Sequence, residues 1–289
     1  MDRRHFVAAG ASLLLASCAP KTRRISVGTK NFTEQLILGE ILAQLLESQL
    51  HSQVERRFYL AGSYICHQAI LAGRIDLYIE YTGTALAAIL KQNPANDGDV
   101  FQKVHTEYRQ RFNLDVFPSL GFNNTFALAM RGDDARAHGL TKLSQLAPHA
   151  SSMRLGVGYE FLERADGFPG LAHTYGLRFA APPSVMDLGL IYRALQARQV
   201  DIVAGSNTDG LIAALGLQVL EDDLHYFPPY DAVPIVRPQV LQAYPEVRAV
   251  LDLLVGRISS DQMRRMNYAV DGEKRDAPDV AKAFLASLK

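Results

Sequence analysis

Tyr81, Thr82 and Thr84 stand where the stretch G-R-I-D-L-Y-I-E-Y-T-G-T-A-L (73–86) turns from an apolar run into a helix. Such a turn suits ligand binding, because open α/β sheets collect ligands outside the carboxyl ends of their strands, where a helix N-terminus presents free N–H groups. Two cations occupy comparable places. Lys30 follows V-G-T at the mouth of a first strand, where a ligand carboxylate could meet it beside helix N–H groups; a solvated surface lysine is the alternative. Arg164, in E-F-L-E-R-A-D-G, could grip a carboxylate bidentately, or pair with Glu160, Glu163 and Asp166, which is the locally stronger reading. Asp76 and Glu80 share a strand face, but a carboxylate at the start of a strand is more simply a cap than half of a catalytic pair. G-x-S-x-G, H-E-x-x-H, a Walker-type phosphate loop and clustered histidines are all absent, which argues against an enzyme.

The elements that must hold these residues follow from hydrophobic period. Ile75, Leu77 and Ile79 alternate, which predicts a short buried strand ahead of Thr82. The same grammar recurs when 69–84 is read against 194–209 without a gap: AILAGRIDLYIEYTGT over ALQARQVDIVAGSNTD. Val27-Gly28 and Val157-Gly158 lie at nearly the same offset, so two lobes of like topology with a cleft between them are expected. Strands are predicted near 25–27, 54–58, 153–157 and 177–179, apolar runs follow the lobe crossings at 126–130 and 233–236, and helices are predicted over about 34–50, 63–72 and 100–111, with a last amphipathic one over 278–288 that packs back on the first lobe. Asn31 or Thr33 is the expected cap of the first long helix, and 158–169 reads as a long turn. The chain crosses between lobes at Gly121-Phe122-Asn123-Asn124-Thr125 and returns through Tyr226-Phe227-Pro228-Pro229-Tyr230-Asp231, where two prolines pin an aromatic residue on a rigid crossing. The expected division is 1–17 as a leader, 25–123 and 227–289 as one lobe, and 124–226 as the other.

The 289 residues carry 30 basic and 30 acidic side chains, so nothing in the charge argues for a nucleic-acid partner. Arg3-Arg4 precede an apolar run from Phe6 to Leu15, too short to span a bilayer and right for a signal-peptide core. Leu15-Ala16-Ser17-Cys18 then reads as a bacterial lipobox, which implies cleavage before Cys18, lipid on its thiol and a body tethered outside the cytoplasm. Arg3-Arg4-His5-Phe6 also resembles a twin-arginine export signal. With the Cys18 thiol lipidated, Cys66 is left without a cysteine partner, so neither a disulfide nor a thiolate metal site is expected, and Cys66 beside His67 is read as a small core hydrophobe.

Several blocks together, G-T-K-N-F-T-E-Q-L-I-L-G-E, the 73–86 stretch, L-G-F-N-N-T-F-A-L-A, F-P-P-Y-D-A and M-R-R-M-N-Y-A-V-D-G-E-K-R-D-A, resemble the substrate-binding proteins of osmoprotectant ABC importers over nearly the whole chain. The resemblance implies a two-lobed α/β periplasmic-binding-protein fold of type II, closing like a hinge on glycine betaine, proline betaine, choline, carnitine or a related zwitterion. It implies no cofactor or metal, a permease and an ATPase as partners in the membrane, and a monomer. In that family a cage of tyrosines surrounds a quaternary ammonium while a lysine, a threonine and an arginine meet the carboxylate. Carried over, these roles fall on Lys30, Tyr81, Thr84, Arg164 and Tyr230, with Asn124 beside the crossing. Two cage positions depart from the pattern, where Phe126 and Ser206 stand in place of tyrosine. Phe126 keeps a face, whereas Ser206 removes one, so either betaine binds weakly or the solute has a polar group that Ser206 and Asn207 meet. A two-lobed enzyme and a sensory lobe are the alternatives to transport.

Overall fold

The computed structural model describes residues 24–92 and 99–288; the expected leader, Cys18 and residues 93–98 lie outside them. Among the described residues, ten strands form two five-stranded sheets. The first sheet contains β1 (Ser26–Gly28), β2 (Glu55–Arg57), β3 (Leu77–Tyr81), β4 (Asp115–Val116) and β10 (Ala232–Val236), in the order β2-β1-β3-β10-β4. The second contains β5 (Phe126–Arg131), β6 (Leu155–Val157), β7 (Ser184–Val185), β8 (Ile202–Ser206) and β9 (Leu217–Val219), in the order β7-β6-β8-β5-β9. In each, three parallel strands are followed by an antiparallel one, β10 against β3 and β5 against β8.

The internal repeat is therefore structural. β3 and β8 begin and end at the positions that the ungapped comparison equates, Leu77 with Ile202 and Tyr81 with Ser206. The aspartates ahead of them do the same work. Asp76 accepts from Ser26 N and Oγ, both at 2.9 Å, and from Arg237 at 3.0 Å, while Asp201 accepts from Arg154 N at 2.9 Å and from Arg131 at 3.2 Å. Each ties the start of its strand to the neighbouring parallel strand and to an arginine at the end of the antiparallel one. The reading of Asp76 as a cap holds.

Alternation places each sheet between two apolar layers. On β3, Leu77, Ile79 and Tyr81 join the cluster that holds α1 (Thr33–Leu50), and Tyr78 faces the opposite layer with α2 (Ser63–Leu71). On β8, Ile202 and Ala204 face one layer and Val203 the other. α1 is apolar around most of its circumference because it is buried on both sides, under β1–β3 and against the helix Ala277–Ser287, whose Val280, Ala281 and Phe284 pack back as expected.

Four local expectations are corrected. Residues 177–179 form no strand; Leu177 is buried as a loop residue under the helix Phe168–Tyr175, and the edge strand is β7, seven residues later. The turn over 158–169 contains a short helix, Tyr159–Glu163. The N-cap of α1 is Phe32, without a side-chain bond, because Thr33 is the first helical residue and donates instead to Asp271 Oδ1 at 2.6 Å. After Thr82–Thr84 the chain winds as a π-helix, Ala85–Ile89. Cys66 is fully buried, and His67 beside it packs edge-on against Phe112 at 4.6 Å and Tyr108 at 5.6 Å.

Candidate functional site

The two crossing segments run side by side: Asn123 bridges to Asp231, and Asn124 N donates to Tyr230 O at 3.0 Å. In front of them lies a cavity of about 270 Å³ between the sheets. Lys30, Tyr81, Thr84, Asn124, Phe126, Arg164, Ser206 and Tyr230 all line it. Strand ends converge here: Tyr81 ends β3, Ser206 ends β8, and Phe126 begins β5 directly opposite Ser206.

Both expected cations are already paired. Arg164 Nε donates to Asp166 Oδ1 at 2.8 Å and Nη2 to Oδ2, while Nη1 reaches Thr84 Oγ1 across the cleft at 3.1 Å. The locally stronger reading, pairing with an acidic neighbour, and the approach to Thr84 thus coexist. Burial works against the Arg164 charge, but the hydrogen bonds and charge of Asp166 outweigh it and the pKa is raised. Lys30 is no surface lysine: it is 3% exposed, bonded to the buried Glu80, with its ammonium 4.4 Å above the Tyr81 ring.

The aromatic faces are held by their hydroxyls. Tyr230 OH donates to Asp166 Oδ2 at 2.6 Å, and Tyr81 OH to Glu34 Oε1 at 2.6 Å, which leaves the rings to bound the cavity. Phe126 stands edge-on to Tyr230 at 5.8 Å and to Phe161 at 4.8 Å, with the Arg164 guanidinium 5.0 Å from its ring. Gly83 is needed for this approach, since a Cβ there would lie 2.7 Å from the Tyr230 ring and 2.8 Å from Pro229 O.

An acidic pole was missed. Glu34, on the first turn of α1, accepts from Tyr81 OH, from Asn124 Nδ2 at 2.7 Å, from Thr208 Oγ1 at 2.6 Å and from Asn267 Nδ2 at 3.0 Å. Burial raises its pKa, opposed by those four donors. Asp209 accepts from Tyr192 OH at 2.5 Å and Ser206 N at 2.9 Å; burial pushes it up to about 6 against these bonds, with the charges of Glu34 and Asp271 adding to the rise. Burial also raises Asp271. A signal for Asp209 existed, because the repeat sets it opposite Thr84. None existed for Glu34 with Thr208 and Asn267, which meet only through the fold. Tyr192 was missed as well; its hydroxyl fills the space behind Gly205, where a Cβ would lie 2.3 Å away.

Paired strand ends, two crossings and an aromatic and charged cavity define a two-lobed solute-binding protein. Residues 23–287 match the substrate-binding domain of ABC-type glycine betaine transport systems, and the chain belongs to that family. It is 36% identical over 281 residues to the ergothioneine transport permease/ergothioneine binding protein EgtU of Helicobacter pylori, covering 97% of this chain and 50% of that one, so it spans half the length of that relative. It is 32% identical over 284 residues to the carnitine transport binding protein OpuCC of Listeria monocytogenes, covering 95% of this chain and 92% of that one. Among solved structures, that of a glycine betaine/carnitine/choline ABC transporter protein superposes with a TM-score of 0.76 at 32% identity, over 91% of this chain and 98% of the other.

Proposed function

We propose that this chain is the lipid-anchored, extracytoplasmic receptor that captures a quaternary ammonium or related zwitterion and hands it, unmodified, to a permease and ATPase. The observation that carries the reading is the set Tyr81, Phe126 and Tyr230 around one cavity, with Arg164 and Thr84 meeting at its edge. A quaternary ammonium has no N–H to donate, so aromatic faces hold it, at about 0.5 to 2 kcal/mol each. The two lobes are 25–123 with 227–289 and 124–226, hinged where Asn123 meets Asp231. Glycine betaine, choline, carnitine and ergothioneine are the solutes to try, since relatives are named for most of them.

A thermal-shift screen of the purified chain against these solutes tests the reading, because a ligand that binds only the folded state raises the melting temperature. At least one should do so and be recovered chemically unchanged by mass spectrometry; turnover, or silence across the set, would remove the proposal. Lipid on Cys18 predicts that Cys18→Ser releases the protein from the membrane fraction, and a monomer predicts a single light-scattering mass for the purified chain no greater than the 31.9 kDa of the full sequence.

A further inference from the structure

Two cationic side chains, Lys30 and Arg164, line the cavity against five acidic ones, Glu34, Glu160, Asp187, Asp209 and Asp271. Lys30 and Arg164 are moreover neutralised from behind by Glu80 and Asp166. Glu34 is 2% exposed and its four partners are all neutral donors, so among the described residues no cation pairs with it. A buried carboxylate in that condition is costly until a cation approaches.

The second observation is Asn267. It is 2% exposed and lines the same wall; its Nδ2 donates to Glu34 Oε2 and to Thr208 O at 2.9 Å, which sets the amide's orientation, and its Oδ1 has no partner. Both bonds to Asp209 fall on Oδ2, so a second acceptor oxygen stands on that wall. Ser206, whose N donates to that carboxylate, lines the same cavity with a small side chain.

We propose that Glu34, Asp209, Asp271 and Asn267 form a subsite for a cationic group that carries N–H donors, so that the preferred solute is an incompletely methylated ammonium or an equivalent N–H cation. This rests on the proposed function and sharpens its substrate class. A trimethylammonium group would leave Asn267 Oδ1 unpaired and cover Asp209 without offering it a hydrogen bond, whereas an N–H can supply one.

Matched pairs differing by one N-methyl test it by calorimetry at neutral pH: N,N-dimethylethanolamine against choline, and N,N-dimethylglycine against glycine betaine. The protonated amine should bind about tenfold more tightly in each pair. Asn267→Leu and Asp209→Asn, each checked for a cooperative melt, should bring the two members of a pair to within about twofold of each other. Equal or tighter binding of the methylated members by the unaltered protein, or a preference that survives both substitutions, would overturn the subsite while leaving the proposed function standing. Binding of neither pair would overturn the subsite, and the proposed function would fall with it only if carnitine and ergothioneine were silent as well.

Discussion

Arg164 and Asp166, two residues apart, lie side by side in the cavity wall, Nε donating to Oδ1 at 2.8 Å while Nη2 takes Oδ2. The pair is buried, and Tyr230 OH adds a third donor to the carboxylate. Arg164 thus offers a ligand only the edge that now touches Thr84. Arg164→Ala should strand Asp166 and cost about 3 kcal/mol of unfolding free energy by urea denaturation, together with a loss of affinity for carboxylate solutes by calorimetry. Arg164→Lys keeps the charge without the planar fork and should recover only part of either. An unchanged denaturation midpoint in the alanine variant would show that the pair stabilises nothing.

Across the mouth of the cleft, Glu160 accepts from Ser63 N at 3.1 Å, so a carboxylate of the second sheet's half caps α2 of the first. Gly62 makes room, since a Cβ there would lie 2.0 Å from Glu160 Oε1. If the lobes close on solute as the proposed function requires, this contact favours the closed form. Glu160→Gln should weaken solute binding about two- to fivefold through the lost charge at the helix N-terminus. Gly62→Ala should weaken it further and give a more open ensemble in small-angle scattering, with little change in melting temperature. Wild-type affinity in both variants would exclude a latch.

Asp209 makes binding of a cation pH-dependent. Glu34 of α1, Asp271 of the helix Ser260–Asp271 and Tyr192 of the helix Ile191–Gln196 face it, with Lys274 beyond Asp271. Without ligand its pKa stands near 6 rather than 3.8, so the folded protein keeps a proton that the unfolded chain releases between those values. Its contribution to stability is present at low pH and lost as pH rises through about 6. A bound cation favours the ionised carboxylate, so choline affinity should rise between about pH 5 and pH 7. Asp209→Asn should flatten that rise in calorimetric titrations; a wild-type profile that is already flat would contradict the assignment.

Ser206 faces Phe126 directly across the β5–β8 pair. Ser206→Tyr would set a ring beside that face and in front of Asp209. A trimethylammonium solute should tighten by about 1 kcal/mol, and an N–H cation should weaken by more, because the ring covers the acceptors it needs. Glycine betaine bound at low micromolar concentration by the unaltered protein, with no gain from the tyrosine, would show that this wall is not short of a ring.

Local pattern alone determined the strand that ends at Tyr81, its counterpart at Ser206 and the aspartates before them. Period-two apolar runs and a gapless repeat are properties of neighbouring residues, and a buried strand needs nothing else to be read. It also brought Lys30, Tyr81 and Thr84 to strand ends, which converge in α/β sheets without reference to any particular contact, whereas Asn124, Phe126 and Ser206 were reached as cavity residues only through the family resemblance. The loop at 177–179 was misread for the same reason: a short apolar run suits a strand or a packed loop equally, and only the helix over Leu177 decided between them.

Charge pairing was beyond such reading. Lys30 and Glu80 are 50 residues apart, and Glu34 meets Asn124, Thr208 and Asn267 across 90, 174 and 233 residues. Whether a lysine is solvated or buried, and whether an arginine's fork is free or occupied, depends on desolvation and on which acids arrive beside it. Sequence spacing carries no information about either. The tertiary structure therefore decided that both cavity cations are already neutralised and that the acids on the opposite wall are not.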